Sequence, residues 1–219
     1  MLASVRSCTI ALGRSRHAVA AQRLLSGGAA GMIPQRFNPI AEPEPPEDLY
    51  RFLLRSAKWH ENPDRVALRC AANDFRPITY RELPRRVSAA AHALRAQGFK
   101  QGDIVNIHLH NTEQFVVGFL AISALGGTST TSNPLYTASE LAAQQTDSKA
   151  RFVLTSRTYA DVVHAAIAES GVAADAVSYA EDDGCFANAA STDAPLPELD
   201  RPIVPTEDLL VLPCWLPPR

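Results

Sequence analysis

From about residue 76 to residue 181 the chain switches repeatedly between helical and strand-like spacing of its apolar residues. "TYRELPRRVSAAAHALRAQG" (79–98) places Leu83, Val87, Ala90, Ala91 and Leu94 on one helical face. Thr79 and Glu82 stand three apart as a capping box, and Gly98 occupies the place of a C-terminal cap. Pro84 conflicts with a helix that begins at Thr79, because it lacks a backbone donor, so a kink or a later start is expected. "DIVNIHLH" (103–110) reads as a strand feeding an apolar helix from Glu113 to Leu125, which Gly126 and Gly127 terminate. "TSTTSNP" (128–134) is a β-branched strand closed by an Asn-Pro turn. A second capping box, Thr137 with Glu140, opens the helix "ASELAAQQT". "ARFVLTS" (150–156) is a strand, residues 158–169 a helix bounded by Gly171, and "AVSYA" (176–180) a further strand.

Strands that alternate with helices of this length predict an α/β fold, a Rossmann-like parallel sheet with helices on both faces, because parallel neighbours need a crossover connection. Upstream, residues 49–70 read as an amphipathic helix with Leu49, Phe52, Leu53 and Ala57 on its buried face, then a turn at Asn62-Pro63 and a strand from Val66 to Cys70. Downstream, "EDLLVLP" (207–213) reads as the approach to another buried strand.

Composition is that of a globular protein, with 46% hydrophobic and 20% charged residues in 219. Charge divides the chain more sharply. Residues 1–41 hold Arg6, Arg14, Arg16, Arg23 and Arg36 and no acid, although the whole chain has a net charge of −2. A basic, acid-free, Ser- and Ala-rich leader predicts a mitochondrial transit peptide over residues 1–31, with a plastid as the alternative destination. Arg23 precedes Ser26 by three, which predicts matrix processing after Leu25. A secretory signal fits poorly, since Arg14, Arg16 and His17 interrupt the apolar run. Residues 32–46 form a Pro- and Glu-rich linker, 47–213 the folded part and 214–219 a tail that breaks the pattern. The longest apolar stretch, 115–127, is too short to span a bilayer. Cys8, Cys70, Cys185 and Cys214 lack metal or disulfide spacing, and no basic nucleic-acid surface remains beyond the leader. A small-molecule site is the remaining class.

In such sheets ligands bind beyond the carboxyl ends of the strands. His108 and His110 stand at one such end with the i, i+2 spacing of a metal pair, though a strand-end pair without a third ligand is ordinary. "TSTTSNPLYT" (128–137) offers hydroxyls to a phosphate, but a β-branched strand, a turn and an N-cap account for it as well. "SGGAAG" (26–31) lacks the strand and lysine of a phosphate loop, and Asp182-Asp183 reads as a turn before Gly184. No GxSxG elbow is present.

Four segments taken together, "NPDRVAL" (62–68), "ITYREL" (78–83), residues 98–156 with "SNPLYTASEL", and "EDLLVLP" (207–213), resemble the adenylate-forming acyl-CoA synthetases. The likeness is to the branch of 4-coumarate:CoA ligases and related fatty acyl-CoA ligases, and runs from about Glu47 to Pro213. The resemblance implies the incomplete N-terminal part of the adenylate-forming fold. For a complete member it implies ATP, Mg²⁺ and coenzyme A, acting on a carboxylic acid. The acid attacks the α-phosphate of ATP, pyrophosphate leaves, and the coenzyme A thiol then displaces AMP.

The family follows its "DLLVLP" segment with a Ser/Thr/Gly-rich loop and a lysine that wrap the triphosphate, whereas this chain has "CWLPPR" (214–219). Its two prolines lack N–H donors and Arg219 stands where a lysine is expected. No catalytic, cofactor-binding or metal-binding residue is therefore carried over. Thr79, Tyr80 and Glu82 match the family's first core motif, and Asn133, Pro134 and Tyr136 its strand-to-helix turn, where the resemblance gives them shaping and capping roles. Pro84 and His110 depart from the residues usual in relatives. Three expectations follow: an N-terminal fragment of a ligase, inactive alone; a non-catalytic chain that binds a partner or a full-length relative; or a piece that misfolds with open sheet edges.

Overall fold

The computed structural model describes residues 47–71, 74–172, 174–181 and 191–213, all within the compact unit Pro43–Arg219. The leader, the linker 32–46, the glycine run 26–31, Asp182-Asp183, Cys8, Cys185, Cys214 and the tail 214–219 lie outside the described residues.

Two short helices, α1 (Leu49–Leu54) and α2 (Ala57–Glu61), replace the single helix expected over this segment. Asp48 caps α1 by accepting the Arg51 backbone N–H at 3.0 Å, and extended backbone at Ser56 separates the two. The break changes which residues face inward: Leu53 packs against the core as expected, but Tyr50 is buried and Phe52 is 46% exposed. The strand β1 (Val66–Arg69) stops one residue short of Cys70 and pairs antiparallel with β2 (Pro77–Thr79), outside the main sheet.

The helix α3 (Glu82–Ala96) takes the later start. Thr79 Oγ1 accepts the Glu82 backbone N–H at 3.1 Å, which puts Pro84 in the first turn, where its missing N–H has no intrahelical partner to lose. The Glu82 carboxylate turns to Arg86 instead, accepting its Nε–H at 2.9 Å.

Then follow β3 (Ile104–His108), α4 (Glu113–Ala124), β4 (Thr128–Thr131), α5 (Ala138–Ser148), β5 (Phe152–Thr155), a 3₁₀ turn at Arg157–Tyr159, α6 (Ala160–Ser170) and β6 (Ala176–Tyr179). The four strands β3 to β6 are parallel in the order β4-β3-β5-β6, and helices cover both faces, the predicted architecture. Thr137 and Glu140 form the complete capping box at the start of α5, and Gly171 ends α6 in the left-handed conformation.

Pleating sends alternate residues to opposite faces. Val105, Ile107, Phe152 and Leu154 join Leu83, Val87 and Leu94 of α3 and Val117, Leu120 and Ala121 of α4 in the principal core. Phe99 and Phe152 meet edge to face at 5.2 Å. On the other face a smaller cluster holds Val153, Leu141 and Ala142 of α5, and Val163 and Ala166 of α6. The turn from α4 to β4 shows why two glycines stand there. Gly126 is left-handed, and a Cβ on Gly127 would lie 2.3 Å from Phe99 Cζ.

Residues 191–212 run without a regular element as a strap held by side chains. On α3, Ser88 donates to Ala194 O at 2.7 Å, His92 Nε2 to Pro195 O at 2.8 Å and Arg95 to Glu198 O at 3.0 Å. The strap reaches the outer side of β4, where Ser129 N–H donates to Leu210 O at 3.0 Å and Leu212 N–H to Ser129 O at 2.9 Å. The expected strand at 207–213 is thus a single parallel bridge, Ser129 to Val211, and Leu209 and Val211 face outward.

Candidate functional site

The carboxyl ends of β3 and β4 carry a continuous polar chain whose direction can be derived from one end. Ala150 O, a carbonyl, can only accept, and Gln145 Nε2 donates to it. Gln145 therefore presents Oε1 to Asn106, whose Nδ2 donates at 3.3 Å. That orientation leaves Asn106 Oδ1 to accept the Ser132 hydroxyl at 2.9 Å. With its proton committed, Ser132 accepts from His108 Nδ1 at 2.8 Å. His108 is then the Nδ1–H tautomer, with a bare lone pair on a buried Nε2 that has no partner. Burial, with a smaller contribution from His110, pushes the pKa of His108 down from 6.5 to about 4.

This order of donation decides the chemistry. A serine activated by histidine must give its proton to the ring, and Ser132 gives it to Asn106 instead. The chain is structural polarity, with no nucleophile in it. The metal reading of the histidine pair fails on placement, since β3 ends at His108, which is fully buried, while His110 is exposed beyond it. Both rings lie against Tyr159, at centroid distances of 5.3 and 5.6 Å, and His110 Nε2 bonds the Tyr159 hydroxyl. Among the described residues no group of three or more His, Cys, Asp or Glu is placed to hold a metal.

The rim is equally committed. Arg157 stacks over Tyr179 at 3.9 Å, Tyr179 OH meets His164 Nε2 at 2.8 Å, and Glu181 accepts the Arg157 N–H at 3.0 Å. The hydroxyl-rich segment is spent on scaffold bonds. Thr128 donates to Leu209 O at 2.9 Å, Thr130 accepts from Gln144 at 3.1 Å, and Thr137 caps α5. Ser129 alone in that strand keeps a buried hydroxyl without a partner, on the apolar face. The turn residues act in the same way: Asn133 Oδ1 accepts the Leu135 N–H at 3.0 Å, and Tyr136 packs on the smaller core. Tyr80 meets Trp59 edge to face at 4.8 Å.

One buried charge cluster has no counterpart in the sequence reading. Arg86 and Glu113 are both buried and 3.4 Å apart, and Glu82 completes the group from the helix turn before Arg86. Burial raises the pKa of Glu113 although Arg86 opposes the shift. Arginine and glutamate in amphipathic helices ordinarily face solvent, so no local signal marks them. Asn106 and His108 did carry one: polar residues at alternate positions of an otherwise apolar strand.

A parallel sheet of this order, flanked on both faces and preceded by a two-stranded hairpin, is the architecture of the N-terminal domains of adenylate-forming enzymes. Residues 56–213 match the AMP-binding enzyme family, and the chain belongs to that family. It is 33% identical over 150 residues to 4-coumarate–CoA ligase 4 of Arabidopsis thaliana, covering 63% of this chain and 25% of that protein. A similar match, 33% over 162 residues, joins it to 4-coumarate-CoA ligase 1 of Narcissus pseudonarcissus, covering 70% of this chain and 28% of the relative. Among solved structures, ATP-bound MatB from Rhodopseudomonas palustris superposes with a TM-score of 0.61 at 26% identity, covering 76% of this chain and 31% of MatB. The chain spans about a quarter of the length of these curated relatives.

Proposed function

We propose that residues 47–213 supply the N-terminal sheet scaffold of an ATP-dependent, AMP-forming acyl-CoA ligase and carry out neither chemical step on their own. In the overall reaction a carboxylate oxygen bonds to the α-phosphorus of ATP as pyrophosphate leaves. The coenzyme A thiol, losing its proton, then bonds to the acyl carbon as AMP leaves. The family match over 56–213 supports the reaction class. The observation that carries the scaffold reading is the commitment of Asn106, His108, Ser132, Thr130 and Glu181 to one another, to the Gln144 and Gln145 side chains and to backbone. These groups do not fit a triphosphate and Mg²⁺, which need donors and carboxylates free to turn outward.

Two experiments separate the parts of this reading. Purified chain mixed with ATP, magnesium, coenzyme A and aromatic or fatty acids should give no pyrophosphate release above background, and release would overturn the claim of inactivity. Residues 47–213 exchanged for the matching quarter of a full-length 4-coumarate–CoA ligase should leave adenylate formation intact. A folded but inactive chimera would sink the scaffold role. A non-catalytic binding role is a second reading, favoured by the outward-facing Val204, Leu209 and Val211 along the strap. Capture of a full-length relative by the chain, lost on changing Leu209 and Val211 to Lys, would support it. Residues 1–31 are proposed to direct the chain to the mitochondrial matrix, on the strength of their acid-free, arginine-bearing composition. Fused to a fluorescent protein, they should localise it to mitochondria, and plastid or cytosolic fluorescence would refute the assignment.

A further inference from the structure

The last part of the strap, residues 201–212, is tied down differently from the part before it. Residues 192–198 lie along α3 and bond one by one to Arg85, Ser88, His92 and Arg95. Residues 201–208 instead close on themselves through one side chain. The Asp208 carboxylate accepts from both terminal nitrogens of the Arg201 guanidinium, Nη1 at 2.9 Å, and from the Val204 N–H at 2.7 Å. Val204 O in turn accepts the N–H groups of Glu207 at 2.9 Å and Asp208 at 2.8 Å. The Arg201 and Val204 donors hold the Asp208 carboxyl below the usual carboxylate range, so it is ionised at neutral pH. Its side chain is 17% exposed, which shelters these charge-assisted bonds from much of the solvent.

Little apolar area anchors the loop. Ile203 is its one buried residue, seated on the α4–β4 turn, where a Cβ on Gly126 would lie 2.9 Å from Ile203 Cδ1. Val204, Leu209 and Val211 are exposed. What reaches β4 is polar and comes within four residues of Asp208: Leu209 O accepts the Thr128 hydroxyl, Leu210 O accepts the Ser129 N–H, and the Leu212 N–H donates to Ser129 O. The carboxylate that closes the loop therefore also aims the chain at the strand. Segments with few buried apolar contacts open at lower free energy than the core, and here the opening bares backbone groups of an edge strand.

We propose that residues 201–212 form a latch on the outer edge of β4, which opens as one unit while the sheet and residues 191–200 stay folded, and which Asp208 holds shut. The proposal stands apart from the ligase reading, because it concerns which part of the fold opens first and none of the strand-end residues takes part. Amide hydrogen exchange of the full chain at neutral pH tests it. After correction for intrinsic rates, the Ser129 and Leu212 amides should exchange at one common rate, faster than the amides of β3 and β5. Asp208→Asn keeps the shape and removes the charge, and should speed both by about ten-fold, leaving β3, β5 and the Thr192 amide on α3 unchanged. Arg201→Gln should act alike, and the double variant should exchange no more than about two-fold faster than either single variant, because both remove one interaction. Ser129 and Leu212 amides as slow as those of β3, rates unmoved by Asp208→Asn, equal acceleration of Thr192 and β3, or multiplying effects in the double variant would each overturn the proposal.

Discussion

The two faces of the parallel sheet share the same strands and are closed by different physics. Beneath α3 and α4 the strands offer Val105, Ile107, Phe152 and Leu154, and cohesion comes from apolar area and close packing. Beneath α5 and α6 the neighbouring positions are Asn106, His108, Thr130 and Thr155, joined by directed hydrogen bonds around a small apolar cluster. An apolar face loses stability in proportion to volume removed. A polar face loses it whenever one link goes, because the neighbours are left buried and unpaired.

The largest effect should come from the apolar face. Phe152→Ala should cost about 3–5 kcal/mol in urea unfolding, since Phe152 is buried and packs edge to face on Phe99. If the loss falls well below that range, the core under α3 and α4 is looser than its packing implies.

Acid should act next, and on the polar face. The unfolded chain takes up a proton at His108 near pH 6.5, whereas the folded chain resists until about pH 4. The neutral ring's contribution, up to about 3 kcal/mol, is therefore complete above pH 6.5 and is lost as pH falls toward 4. His108→Leu should flatten that part of the stability curve. An unchanged pH profile would show that the ring is reached by water.

Ser132→Ala removes one link and leaves Asn106 Oδ1 and His108 Nδ1 unpaired, for an expected loss of about 1–3 kcal/mol. The mildest change is on the strap. Ser88→Ala deletes one bond to Ala194 O and should cost about 1 kcal/mol, with faster amide exchange confined to residues 191–195.

The same contrast explains what could be read from the sequence. Helical spacing located α3 and α4, and turn chemistry located the start of α5 and the end of α6, because each rests on a few neighbouring residues. The break at Ser56 was not visible, since nothing in "LYRFLLRSAKWHE" forbids a continuous helix and tertiary packing of Tyr50 decides it. Among candidate site residues, the scaffold use of Thr128, Thr130 and Thr137 was readable from β-branching and capping. The buried Arg86–Glu113 pair and the Gln145–Asn106–Ser132–His108 chain were not, because they join residues 24 to 39 positions apart. "EDLLVLP" was recognisable as strand-like from its apolar run. That it would add only one bridge to β4 depends on where the strap arrives.

That arrival has a consequence in time. Thr128 waits for a partner 81 positions later in the chain. At synthesis rates of about 5–20 residues per second, roughly 4–16 s separate the emergence of β4 from that of the segment that covers its outer side. During that interval the nascent sheet presents an unpaired strand to every other chain nearby, and the arrival of the strap withdraws it.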